Sequence, residues 1–152
     1  MKIMVSACLL GHRCKYNGGD NYCEEARALT DSHNVIPVCP ETAGGLPTPR
    51  PPCEIVDGKV MDRDGVSRDR EFRAGAEQCL ELAKEKDIDL AVLQSRSPSC
   101  GVKCVYDGTF SGRLVEGSGI FASMLRKCGF RVMDVEELKN DPGCVGKGGT
   151  PG

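Results

Sequence analysis

The chain has 152 residues, 39% hydrophobic and 28% charged, which suits one soluble domain with a buried core and is short for two. Its net charge of −2 argues against nucleic acid or an anionic membrane surface as the main partner. No apolar run approaches the roughly 18 residues of a membrane span, and no secretory signal pattern is visible, so we expect a cytoplasmic protein with no membrane partner.

Ten cysteines are many for a cytoplasmic chain of this length. Disulfides are rare in a reducing compartment, so the count indicates that a subset of the thiols binds a metal or takes part in catalysis.

The first third of the sequence predicts a strand over residues 2–7 and a loop over residues 9–19. A helix over about residues 21–32 and a second strand over residues 34–38 are expected to follow. Asp20 or Asn21 is the expected cap of the helix. Pro37 cannot donate a ladder hydrogen bond, so the second strand is expected at a sheet edge or to end there.

After the second strand, the sequence predicts two long irregular stretches, over residues 40–66 and 95–119. It also predicts two helices, over residues 67–86 and 120–128, and two strands, over residues 88–94 and 130–135. A short helical turn is expected over residues 136–140. Within the first irregular stretch, Asp57-Gly58 predicts a small hairpin. Cys79 falls on the apolar face of the first of these helices and is expected in the core.

This order of elements predicts an α/β fold, a single-domain Rossmann-like three-layer sandwich. Its sheet is expected to have four mostly parallel strands in the order 2-1-3-4, with a switch point between strands 1 and 3. The domain is expected to span residues 1–140, and the glycine- and proline-rich residues 141–152 predict a flexible tail. Cys144 lies in that tail and is therefore not expected to be a ligand.

Three cysteines, Cys8, Cys39 and Cys100, follow the first three predicted strands. The carboxyl ends of parallel strands meet at one edge, where open α/β sheets bind ligands. Thiolates are soft ligands that select iron–sulfur clusters, zinc or cuprous copper. Because three ligands from separate strands differ from the local pairs of a structural zinc site, they indicate a catalytic centre with one open position. The alternative is that each is merely a small buried residue at a strand end.

Polar residues accompany these cysteines. Glu41 lies two positions after Cys39 and is a candidate general acid or base, or alternatively a helix cap or an ion-pair partner of Arg50. Ser97 and Ser99 precede Cys100 and offer hydroxyl and backbone N–H donors.

Around these residues the chain resembles the thiouracil desulfidase family, formerly catalogued as a domain of unknown function. The resemblance covers about residues 2–138 and rests on SACLLG at 6–11, CPE at 39–41, GLPTPR at 45–50, SPSCG at 97–101 and YDGTFSG at 106–112.

The resemblance implies a [4Fe-4S] cluster held by Cys8, Cys39 and Cys100, with the fourth iron free to bind the sulfur of a thiolated base. The expected activity is non-redox removal of sulfur from a small molecule such as 2-thiouracil or a thiolated nucleoside, of the hydrolase or lyase type. Glu41 would transfer the proton of the attacking water. Ser97 or Ser99 would orient the ring or stabilise developing charge.

Several alternatives stay open at this stage. Cys14 or Cys104 could close the fourth position as a further ligand, act as a sulfur acceptor or be a spare thiol, and the role of Cys53 is undetermined. The chain could also be a non-enzymatic iron–sulfur or zinc-binding protein, or a metal-free enzyme with Cys100 as its nucleophile.

Overall fold

The structure is a computed structural model that describes residues 1–146. Its strands are β1 (Lys2–Ser6), β2 (Asn34–Val38), β3 (Cys53–Val56), β4 (Lys59–Asp62), β5 (Leu90–Leu93), β6 (Cys104–Tyr106), β7 (Leu114–Glu116) and β8 (Val132–Asp134). Its α-helices are α1 (Glu24–Ala28), α2 (Pro40–Ala43), α3 (Asp69–Lys86), α4 (Ile120–Lys127) and α5 (Val135–Asn140). Short 3-10 helices cover Ala7–Leu10, Leu29–Asp31 and Pro142–Gly146.

The central sheet has four parallel strands in the order β2-β1-β5-β8. These are the second, first, third and fourth strands expected from the sequence, so the predicted α/β fold and strand order are confirmed. The two central strands are continuous apolar runs, as buried parallel strands usually are. Pro37 lies in β2, the first strand in the order of the sheet, so the expected edge position is also confirmed.

Helices cover both faces of the sheet because alternate residues of each strand point to opposite sides. Met4 and Leu93 pack on one face with α3 and α4, and Cys79 is buried in this cluster as expected. Ile3 and Val92 pack on the other face with α1 and α5.

The predicted start of α1 is wrong. The Asp20 carboxylate accepts the N–H of Tyr22 at 2.9 Å in a local turn, and the helix begins only at Glu24. The Asn21 side chain donates to the sulfur of Cys8 instead of capping the helix.

Two hairpins flank the sheet. Asp57 and Gly58 join β3 to β4 with φ angles of 50° and 80°, the geometry of a type I′ turn, which confirms the predicted hairpin. The second hairpin, β6–β7, lies within a stretch expected to be irregular. All three residues of β7 are exposed, so its sequence lacks the apolar alternation that identifies a strand.

A close helix contact fixes the position of α2. A Cβ atom on Gly44 would lie 1.9 Å from the carbonyl oxygen of Glu71, and one on Gly75 would lie 1.7 Å from that of Pro40. Only glycine permits this approach of α2 to α3. The contact matters for the site because α2 carries Glu41 and follows Cys39 directly.

The chain continues to pack beyond residue 140. Val145 is buried in the same cluster as Leu138, and the thiol of Cys144 lies 3.7 Å from the sulfur of Met133. Residues 147–152 of the predicted tail lie outside the described residues. Within the part of the chain that the structure describes, no helix is both long and apolar enough to span a membrane.

Candidate active site

A cavity of about 480 Å³ opens where β1, β2 and β5 end. The structure brings the three sequence-predicted thiols together there, since Cys8, Cys39 and Cys100 all line it. Cys8 lies in the 3-10 helix that follows β1, and Cys39 comes directly after β2. The edge of the sheet thus collects the thiols as its topology predicts.

Cys100 comes seven residues after β5 and reaches the same edge through a tight turn. The hydroxyl of Ser97 accepts the backbone N–H of Ser99 and that of Cys100, each at 3.1 Å. Gly119 packs directly on this turn, where a Cβ atom would lie 2.5 Å from the carbonyl group of Ser99. The turn is therefore held both from within and from the start of α4.

Burial dominates the electrostatics of two of these thiols. Burial raises the pKa of Cys8, although a hydrogen bond from Asn21 partly lowers it. Burial also raises the pKa of Cys100 well above its ordinary value, although a hydrogen bond with Ser6 partly lowers it. Negative charge on Cys39 raises both pKa values further. Three thiolates can therefore share the cavity only with a compensating cation. Because burial raises its pKa, the Cys100 thiol is also a poor metal-free nucleophile.

The donor set fits an iron–sulfur cluster. Cys8, Cys39 and Cys100 supply three thiolates, which are the soft donors that hold iron–sulfur clusters. A cluster places each thiolate on a different iron, so its ligands are spread further apart than those of a lone metal ion. A hydrogen bond to one ligand sulfur is already present, from Asn21 Nδ2 to Cys8 Sγ at 3.5 Å, and the hydroxyl of Ser99 lies 3.8 Å from Cys100 Sγ.

Two further thiols line the cavity. Cys14 lines the cavity beside Cys39, and interaction with the Cys14 thiol holds the pKa of Cys39 below its ordinary value. Cys53 also lines the cavity, its thiol lies 3.7 Å from the carbonyl of Pro51, and burial raises its pKa to about 12. Cys104 lies in β6 outside the cavity. Of the two fourth-ligand candidates, only Cys14 is therefore near the three thiols.

Glu41 joins an arginine to the two serines. One carboxylate oxygen, Oε1, accepts from Arg50 Nε at 3.1 Å and from Nη2 at 2.9 Å. The other, Oε2, accepts from Ser99 Oγ at 2.9 Å and from Ser97 Oγ at 3.4 Å. Glu41 is therefore both an ion-pair partner of Arg50 and a polar group of the cavity.

Arg50 is the residue whose importance the sequence understates. Its side chain is only 4% exposed, and it also donates to the carbonyl of Pro47, the hydroxyl of Thr48 and the carbonyl of Cys14, at 2.9–3.1 Å. The Thr48–Pro49 peptide bond in this loop is cis. The ion pair with Glu41 was one of the alternatives that the sequence left open, whereas the contact of the guanidinium with the carbonyl of Cys14 spans 36 positions and was not predicted.

Comparison with known proteins agrees with this geometry. The family model for 2-thiouracil desulfurase matches residues 3–137. The chain belongs to this family. It is similar to a solved structure described as the [4Fe-4S]-dependent thiouracil desulfidase TudS, with 37% identity, a TM-score of 0.88 and coverage of 96% of this chain and 98% of that one. It is also similar to the uncharacterized protein YbbK of Bacillus subtilis (strain 168), with 38% identity over an alignment of 148 positions that covers 91% of this chain and 98% of YbbK.

Proposed function

We propose that this protein removes sulfur from a thiocarbonyl compound such as 2-thiouracil, using a [4Fe-4S] cluster held by Cys8, Cys39 and Cys100. The observation that carries the proposal is the convergence of the three thiols with the Glu41–Ser99 pair on one cavity. The family membership and the similarity to the [4Fe-4S]-dependent thiouracil desulfidase TudS support the same chemistry.

The protein's part in cofactor binding is to hold three thiolates and shape their surroundings. When bound, the cluster would supply a Lewis-acidic iron with an open position for the thiocarbonyl sulfur. Asn21 donates a hydrogen bond to the sulfur of Cys8, which orients this ligand.

Glu41 is the proposed proton-transfer group. Arg50 holds its Oε1, and Oε2, which accepts from the hydroxyl of Ser99, is the oxygen that would take a proton from water as the water attacks the thiocarbonyl carbon. The water oxygen becomes the new carbonyl oxygen, sulfur leaves as sulfide, and the two protons of water balance the sulfide. No electron donor or acceptor is needed.

The two serines are proposed to act on the substrate ring. Ser99 donates to Glu41 and lies within hydrogen-bond reach of Ser97, at 2.9 Å between the two Oγ atoms. These hydroxyls can orient a ring heteroatom or stabilise charge that develops on the substrate. Cys14 lines the same cavity, and we assign it as a neighbouring thiol that stabilises the Cys39 thiolate, not as a fourth ligand.

Single cysteine substitutions test the proposal. After anaerobic reconstitution, Cys39→Ala and Cys100→Ala should lose the brown absorbance of the cluster and the release of sulfide from 2-thiouracil. Cys104→Ala is the matched control, because Cys104 lies outside the cavity, and it should keep both. Cys14→Ser should keep about four irons per chain. A full cluster spectrum in Cys39→Ala would overturn the ligand assignment, and one zinc per chain without turnover would indicate a non-enzymatic metal protein instead.

A further inference from the structure

Aromatic side chains are concentrated at the cavity. The chain has no tryptophan, three tyrosines and four phenylalanines, and Tyr16, Tyr106 and Phe110 all line the cavity. Phe72 and Phe121, by contrast, are fully buried in the core. Phe110 differs from the two tyrosines because it has no hydroxyl and offers a ligand only the face or edge of its ring.

The backbone of Phe110 is strained. Its φ angle is +57°, in the left-handed region that bulky L residues rarely adopt. Glycine occupies this region without cost, as Gly108 and Gly112 do on either side at +92° and +81°. A phenylalanine at such a position needs surroundings that hold it there, and strain of this kind is typical of ligand-binding positions.

A buried carboxylate holds the segment from Gly108 to Phe110 in place. Glu54 in β3 accepts the backbone N–H of Gly108 at 2.9 Å and that of Phe110 at 3.1 Å through the same oxygen, Oε1. Glu54 is only 9% exposed. Gly108 also packs closely on β3, where a Cβ atom would lie 2.6 Å from the carbonyl oxygen of Ile55. The hairpin β3–β4 thus fixes the backbone of Phe110, which lines the cavity, before a ligand binds.

We propose that Phe110 is a specificity-determining residue that stacks on the flat ring of the substrate, and that Glu54 is the positioning residue that sets it. This inference rests on the proposed function and narrows its substrate class to planar heteroaromatic thiocarbonyls. An aromatic ring stacks on any flat base through their π faces, whereas a puckered ring cannot make the same contact.

Binding of the desulfurated product tests stacking separately from turnover. In the reconstituted protein, calorimetry should show that uracil binds more tightly than dihydrouracil, which has the same polar groups on a puckered ring. Phe110→Leu should weaken uracil binding about tenfold or more and abolish the preference over dihydrouracil. Phe110→Tyr restores the ring and should keep the preference.

The positioning role of Glu54 has its own test. Glu54→Gln keeps an acceptor oxygen and should retain the uracil affinity of the wild type. Glu54→Ala should weaken uracil binding in the wild-type background but not in the Phe110→Leu background, because both changes act through one ring. An equal effect of Glu54→Ala in the two backgrounds would contradict the assignment.

Sulfide release from 2-thiouracil, measured on the same preparations, separates the two proposals. If the wild type turns over 2-thiouracil but Phe110→Leu leaves the uracil affinity unchanged, stacking is overturned and the proposed function stands. Uracil binding that depends on Phe110, without turnover by the wild type, would overturn the proposed function and support stacking. A wild type that does not distinguish uracil from dihydrouracil overturns the inference.

Discussion

Glu41 and Ser99 lie 58 positions apart in the chain, yet the Ser99 hydroxyl donates a 2.9 Å hydrogen bond to the Glu41 carboxylate. The bond joins the segment after β2 to the segment after β5 at the edge of the sheet. Because Arg50 binds the other carboxylate oxygen, the protein itself orients Glu41 toward the serines.

Replacing Glu41 should stop the reaction without removing the cofactor. In Glu41→Gln the side chain keeps its shape but can no longer accept a proton, so kcat for sulfide release should fall by about 10²- to 10⁴-fold. Iron content and absorbance should match those of the wild type. Glu116→Gln, on the exposed strand β7, is the control and should retain full activity. A Glu41→Gln protein with wild-type kcat would exclude Glu41 as the proton-transfer group.

Removing the buried partner of Glu41 should destabilise the fold. In Arg50→Met the Glu41 carboxylate, 15% exposed, loses its charge partner, and the free energy of unfolding should fall by about 3–5 kcal/mol. Arg27 forms an exposed ion pair with Asp31 at 3.1 Å, so Arg27→Met should cost no more than about 1 kcal/mol. Urea denaturation of both variants measures the difference. Equal losses of free energy of unfolding would show that the buried Arg50 pair stabilises the fold no more than the exposed Arg27 pair.

The glycine contact between α2 and α3 should link stability to activity. Gly75→Ala places a methyl group against the carbonyl of Pro40, so we expect a loss of about 1–3 kcal/mol in the free energy of unfolding. Sulfide release should also fall, because α2 carries Glu41. In Gly117→Ala the new methyl group meets only a Val105 methyl at 3.5 Å, so thermal unfolding should change little. A Gly75→Ala protein as stable and active as Gly117→Ala would contradict this account of the contact.

The Asp62 carboxylate should make the free energy of unfolding depend on pH in the acid range. Its carboxylate accepts the N–H groups of Val66 and Asp64 and pairs with Arg68 at 3.1 Å, and these interactions, the Val66 N–H first, hold its pKa below the ordinary value. The folded state therefore gains stability from Asp62 above the unfolded pKa of about 3.9 and loses it as the pH falls through the folded-state pKa.

Asp62→Asn tests this dependence. The variant should be less stable than the wild type at pH 7, and the difference in free energy of unfolding should shrink as the pH falls below about 4. Urea denaturation between pH 7 and the acid limit of folding measures it. A difference that stays constant over this range would show that the Asp62 charge does not contribute.

The sheet and the three thiols were predictable because the relevant signals are local. The apolar runs of β1 and β5 identify buried parallel strands, and the topology then places Cys8, Cys39 and Cys100 at one edge.

The loops were not predictable in the same way. The guanidinium of Arg50 meets the carbonyl of Cys14 across 36 positions, and the Asn21 amide meets the sulfur of Cys8 across 13. No periodic pattern marks such contacts, because loops follow tertiary packing and not a repeat of apolar residues. For the same reason, the proximity of Cys14 to Cys39 emerges only from the folded chain.

Formation of uracil is the most direct test of hydrolytic desulfuration at the three-thiol cavity. Anaerobically reconstituted protein with about four irons per chain should convert 2-thiouracil to uracil and release sulfide in equal molar amounts, without an added electron donor. Absence of uracil from a preparation that contains the full complement of iron would contradict hydrolytic desulfuration at this cavity.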